Sequence, residues 1–282
     1  MESTRPNDAP PLRAAALRWE SLPSDRRAPT LASLTGLGFN AVELPVAWSA
    51  HAATVDGATF EGVLDLAAAV RASLDAGLRV ALRVGAVGPL PAWVTRDDAM
   101  ASLTRRRTPR LSVDGARLVA LPSLSSRAYT TACSGFVGRV CDALGPLAAR
   151  VERWVVDAGA AAEFRGGPWD SDHHPDAPEG VDDPTQRALD EAGALAAHLD
   201  ALAAALTARG VDAARVTTQV PGRASQHPAV ASLAARWTLG VRVPGAGAGA
   251  TAIWREVGSA RAPRGRARVR SGGPRAAVVP RA

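Results

Sequence analysis

The chain has 282 residues, 47% of them hydrophobic and 4% aromatic, which is enough to bury a sizeable core and unlike a disordered or fibrous composition. Its net charge of +6 is carried by arginine alone, because no lysine occurs. Eight arginines fall within 255–282 against the single carboxylate Glu256, so the rest of the chain is near neutral and the charge excludes no class but gives no ground for a nucleic-acid partner.

No apolar run reaches the roughly eighteen residues of a membrane span, and the opening MESTRPNDAPPLR lacks the apolar stretch of a secretory leader. The expectation is a cytoplasmic protein with no membrane partner. Residues 1–11 carry no periodic pattern and are read as disordered. LRAAALRW (12–19) suits a strand or a short helix. APTLASLTGLG (28–38) has helical spacing and stops at glycine. FNAVELPVAW (39–48) reads as a buried strand whose carboxyl end is marked by Pro45. FEGVLDLAAAVRASLDAGLR (60–79) predicts an amphipathic helix closed by Gly77, and VALRVGA (80–86) a second buried strand. RAYTTACSGFVGRVCDALGPLAAR (127–150) is helical, with Cys133 and Cys141 read as buried free thiols. VERWVVDA (151–158) is a third strand, 186–209 a long alanine–leucine helix, and AARVTTQV (213–220) a further strand.

Alternating helices and apolar strands predict an α/β fold with a parallel sheet. No G-x-G-x-x-G follows the first strand and no phosphate-binding G-x-x-x-x-G-K-[ST] occurs, which disfavours nucleotide folds and leaves a (β/α)8 TIM barrel. Past residue 243 the Gly-, Pro-, Ala- and Arg-rich sequence cannot bury enough surface to offset the entropy of ordering. The expected organisation is a TIM-barrel-like domain over 12–243, incomplete at five or six strands, followed by a disordered basic tail over 244–282.

Several stretches resemble one family. LTGLGFNAVELPVAWSAH (34–51), FEGVLDL (60–66), GLRVALRVG (77–85) and LPAWV (90–94) are similar to the amino-terminal barrel of glycoside hydrolase family 35 β-galactosidases, with family 42 as a relative in the same clan. Val156, Asp157, Phe164, Arg165, Gly167, Pro168, Asp170, Asp172, His174, Pro175, Asp176 and Ala177 fall in register with the fourth-strand pattern of a bacterial branch of that family, and the similarity runs roughly over 12–210. The resemblance implies retaining hydrolysis of terminal β-galactosides, with carbohydrate as partner and no cofactor. Such chemistry needs two carboxyl groups about 5–5.5 Å apart.

The same register exposes departures. Ala158 and Gly159 stand where the family has Asn and the acid/base Glu, and Ala52 follows His51 where the pattern has Glu. AVGPLPAW replaces an acidic loop after Gly85, and the tail offers only Glu256 as a nucleophile. Two carboxylates remain as catalytic candidates. Glu163 is a displaced acid or a plain loop residue, and Glu43 an inward site carboxylate or a partnered buried charge. Substrate contacts are assigned to Trp48 and Trp93, with core packing as the alternative, to His51, to Arg83, with an ion pair to Glu43 as the alternative, and to Asp157, Asp172 and His174. In the resembled family the loop holding Asp170, Asp172, His173, His174 and Asp176 is a conformational lock beside the site, a reading preferred here to a metal centre. The sequence therefore predicts a β-galactosidase-like barrel with turnover near background. A non-catalytic carbohydrate-binding protein and a polyanion binder acting through its tail are the alternatives, and the oligomeric state is left open.

Overall fold

The computed structural model describes residues 12–114, 117–156, 172–178, 183–221, 239–243 and 253–257. The ambiguous 12–19 stretch is strand β1 (Ala14–Ala16) followed by a 3-10 turn at Trp19–Ser21. Helix α1 (Ser24–Gly36) begins one turn before its predicted start, because Ser24 and Asp25 make a favourable first turn and Pro29 is absorbed at the loss of one ladder bond. Strand β2 (Ala41–Pro45) leads into the short helix α2 (Trp48–His51). Helix α3 (Leu66–Asp75) is capped by Asp65, whose carboxylate accepts from the Ala68 N–H at 2.8 Å, and it stops at Gly77, whose φ of 76° lies in the left-handed region. Strand β3 (Arg79–Val84) is followed by helix α4 (Ala92–Thr95) and by a hairpin, β4 (Leu111–Asp114) and β5 (Arg117–Ala120), that the sequence reading did not foresee. Helix α5 (Arg127–Leu144), capped by Ser126, precedes strand β6 (Arg153–Val156); helix α6 (Pro184–Thr207) precedes β7 (Val216–Pro221).

The strands form one sheet in the order β1-β2-β3-β6-β7-β8-β9, with β8 at Leu239–Val243 and β9 at Ile253–Val257. Every pairing from β1 to β8 is parallel, with registers such as Ala14↔Ala41, Glu43↔Ala81 and Arg83↔Val155. The last pairing is antiparallel. Nine residues, 244–252, join β8 to β9, fewer than the dozen or so that a parallel crossover requires. Among the described residues β9 returns beside β1 without pairing to it, and the described sheet curls into an open, TIM-barrel-like α/β fold with six parallel strands. Six parallel strands precede residue 244, as the expected five or six allow, and a seventh, antiparallel strand, IWREV, lies inside the stretch read as a disordered tail. Its β-branched and aromatic residues are an ordinary strand signal that the surrounding Gly/Arg-rich composition diluted.

Strand alternation separates two cores. Outward residues such as Val42, Leu44, Leu82, Trp154 and Val156 pack against the helices. Inward residues Ala14, Ala41 and Val155 join Leu12 in a small second cluster that fills the lower barrel. Cys133 and Cys141 are buried and form no disulfide, and burial pushes the Cys141 thiol up. Above the strand ends, Trp48 is fully enclosed: it stacks on Phe136 at 5.4 Å, lies 6.2 Å from Tyr129, and meets Trp93 edge-on at 5.6 Å. This cluster ties α2, α4 and α5 together. Trp48→Ala should therefore lower stability by about 3–5 kcal/mol, read as a reduced urea midpoint at unchanged slope.

Candidate active site

Glu43 sits at the centre of β2 with no exposed surface. The alternation that sends Val42 and Leu44 to the helices turns Glu43 inward, and a carboxylate so enclosed must find partners. On the adjacent strand, Arg83 Nε stands 3.1 Å from Glu43 Oε1, within ion-pair distance though not aligned as a hydrogen bond. From β7, Gln219 Nε2 donates to Glu43 Oε2 at 3.0 Å. Because β3 and β6 separate β2 from β7 in the sheet, that bond crosses the barrel interior. Arg83 keeps 16% of its side chain exposed and is the member of the trio that reaches solvent. The structure thus pairs Glu43 with Arg83, and it adds Gln219, which the sequence reading missed; the polar residue at an inward position of TTQV was its only signal.

The other sequence-assigned residues form a bonded framework around the strand ends. His51 is buried, its Nδ1 donates to the Thr59 carbonyl at 2.8 Å, and its ring stacks on Phe60 at 4.8 Å. Burial pushes the imidazole below its usual range, opposed by the Thr59 hydrogen bond and the charge of Glu20. Trp48 lies in the core, and Trp93, half-buried, donates its Nε1–H to the Ala52 carbonyl at 3.0 Å. Asp172 Oδ1 accepts from the backbone N–H groups of Leu103 at 3.2 Å and His174 at 3.0 Å. His174 Nδ1 accepts from the Asp176 N–H at 3.0 Å, so its Nε2 carries the proton donated to the Ala99 carbonyl at 3.0 Å. Asp176 accepts from the first N–H of α5, at Arg127, and that bond holds its carboxyl below the usual range. Residues 172–178 are therefore docked onto the β3–α5 connection and the start of α5.

Asp157, Gly159 and Glu163 lie outside the described residues. The six parallel strands contain one carboxylate, Glu43. Glu256 is on β9 opposite Gly240, near the amino end of β8, and so at the end of the barrel away from the strand carboxyl termini where (β/α)8 sites are built. Among the described residues no three His, Cys, Asp or Glu side chains group to hold a metal, and no helix is long and apolar enough to cross a membrane.

This architecture is shared by solved structures of sugar-processing enzymes. A β-galactosidase from the psychrophilic Marinomonas ef1 superposes with a TM-score of 0.54 at 17% identity, covering 74% of this chain and 37% of its own. A polyextremophilic β-galactosidase from the Antarctic haloarchaeon Halorubrum lacusprofundi gives 0.56 at 16%, covering 75% and 37%. The catalytic domain of a β-amylase from Paenibacillus polymyxa gives 0.55 at 11%, covering 77% and 68%. Such identities speak for the fold, and the chain spans little more than a third of either β-galactosidase. The fold they share with this chain is the TIM barrel. Residues 11–109 match the family described as glycosyl hydrolases family 35, which places the resemblance between β1 and the turn before β4; the 156–177 block lies outside that match. No curated protein matches the sequence.

Two outcomes follow from the geometry. Arg83→Met leaves the enclosed Glu43 carboxylate without its counter-charge and should cost about 3–5 kcal/mol in urea unfolding, most of it regained when Glu43→Leu is added. For His51, a folded pKa below the unfolded value means that the native state binds fewer protons than the unfolded chain, so its stability is present above about 6.5 and lost as pH falls through the folded value. Thermal unfolding between about pH 7 and pH 5 should fall more steeply in the wild type than in His51→Asn, whose amide N–H still reaches Thr59.

Proposed function

We propose that this chain is a β-galactosidase-type glycoside hydrolase barrel that recognises terminal β-galactosides at the carboxyl ends of its strands and turns them over at no more than background rate. The fold and the family 35 match support the carbohydrate class. The observation that carries the second half is Glu43. It is the single carboxylate of the parallel strands, it has no exposed surface, and Arg83 and Gln219 hold both its oxygens. A nucleophile must reach an anomeric carbon and an acid must reach a leaving oxygen; a sealed, charge-paired glutamate does neither. By the family resemblance Ala158 stands at the Asn position and Gly159 at that of the acid/base Glu, and neither residue can donate a proton or form a glycosyl ester.

Binding in this reading uses Arg83 at the barrel mouth and the half-buried Trp93, with Asp157 at the end of β6 as the further polar contact. Pyranose C–H faces suit an indole ring, and hydroxyls suit a fixed guanidinium. Calorimetry with methyl β-galactoside should show binding, while an aryl β-galactoside should be released no faster than in buffer. Turnover abolished by Glu163→Gln or Glu43→Gln would overturn the non-hydrolytic half of the reading, and absence of any heat of binding by folded protein would overturn the recognition half.

A further inference from the structure

The β3–α5 connection carries the sequence TRRRTPR at 104–110, which none of the preceding chemistry uses. Thr104 and Thr108 close a tight turn: the Thr104 N–H donates to the Thr108 carbonyl at 2.8 Å, the Arg107 N–H to the Thr104 carbonyl at 2.8 Å, and the two threonine hydroxyls lie 2.8 Å apart. Arg107 occupies the left-handed position of this turn, with φ of 60°, where glycine or asparagine is usual and another residue is strained. Its own guanidinium explains its presence, since Nη1 donates to the His173 carbonyl at 2.7 Å and clamps the turn to the docked 172–178 segment. Arg110 is likewise engaged, with Nη1 3.5 Å from Ser102 Oγ.

Arg105 and Arg106 are different. Both are exposed, and neither makes an ion pair or hydrogen bond among the described residues. The nearby acids are committed elsewhere or on another segment: Asp172 and Asp176 accept from backbone and from Arg127, and Asp97 caps the Ala99 N–H. Two adjacent unpaired cations are thus held on a rigid turn. The turn belongs to a connection that starts at the carboxyl end of β3 and is bonded to the one that follows β6, so it stands on the rim where a sugar chain would enter.

We infer that Arg105 and Arg106 form an oxyanion-binding subsite on this rim, taking a sulfate ester or a uronate carboxylate carried by a galactan-type glycan. Guanidinium groups pair with both oxyanions through two parallel N–H···O bonds, and a turn fixed beforehand loses little entropy on doing so. This inference rests on the β-galactoside reading of the site and extends it from neutral to anionic chains.

The test is calorimetric titration at about 0.1 M salt of the full chain and of Arg105→Ser/Arg106→Ser with three probes: a neutral β-galactan tetrasaccharide, its sulfate ester, and a galacturonate tetrasaccharide. The wild type should prefer one or both anionic probes over the neutral one by about 3- to 10-fold, and the variant should lose that preference while keeping its thermal midpoint and its affinity for the neutral chain. Which probe gains identifies sulfate or carboxylate as the group read. Equal affinities in the wild type, or a preference that survives in the variant and so belongs to the carboxyl-terminal arginines, would overturn the inference and leave the galactoside reading standing. A single-stranded DNA oligomer bound as tightly and losing affinity equally in the variant would also overturn it. Failure of the wild type to bind any of the glycans would remove both.

Discussion

One enclosed charge sets the terms for the whole barrel. A carboxylate with no exposed surface is stable only when a counter-charge and hydrogen-bond donors are brought to it, and the penalty for leaving it bare runs to several kcal/mol. Glu43 receives its counter-charge from the neighbouring strand and its amide donor from β7 on the far side of the interior. The sheet must curl far enough for Gln219 to arrive, and the interior below must stay narrow. Ala14, Ala41 and Ala81 meet that second demand, since larger side chains at those inward positions would push the walls apart. The same pairing keeps the one carboxylate of the parallel strands enclosed between two partners.

Around that centre, most of the residues that sequence assigns to sugar contact serve as fasteners. Trp48 is packed into an aromatic cluster, His51 pins the Thr59 carbonyl, and Asp172 and His174 each satisfy two partners in the docked loop. Scaffold and site draw on one set of side chains at the strand ends, because every connection there needs its backbone groups satisfied once the helices are in place. Among the described residues assigned to sugar contact, Arg83 and Trp93 keep part of their surface exposed.

Much of the barrel was legible in the sequence because its strands are continuous apolar runs and its helices end at glycine. β2, β3, β6 and β7 have their ends within three residues of where the runs place them. What escaped notice did so for physical reasons. The β4–β5 hairpin is announced only by the Asp114-Gly115 pair between two short alternating runs, inside an arginine-rich stretch that reads as loop. β9 was hidden by averaging composition over its neighbours. The Glu43–Arg83 pair could be anticipated because its strands are adjacent, whereas the Glu43–Gln219 bond joins residues 176 apart and exists only because the sheet curls. Local pattern reports the elements; it does not report the curvature that brings distant ones face to face.

The docked segment has an effect on how this protein can change over generations. Its anchoring bonds fall on residues 172–178, and β6 fixes the other side of the gap at Val156. Replacements at 158 and 159 remove none of those anchors. Side chains in that gap can thus be exchanged from one generation to the next while the frame on either side of it is inherited intact.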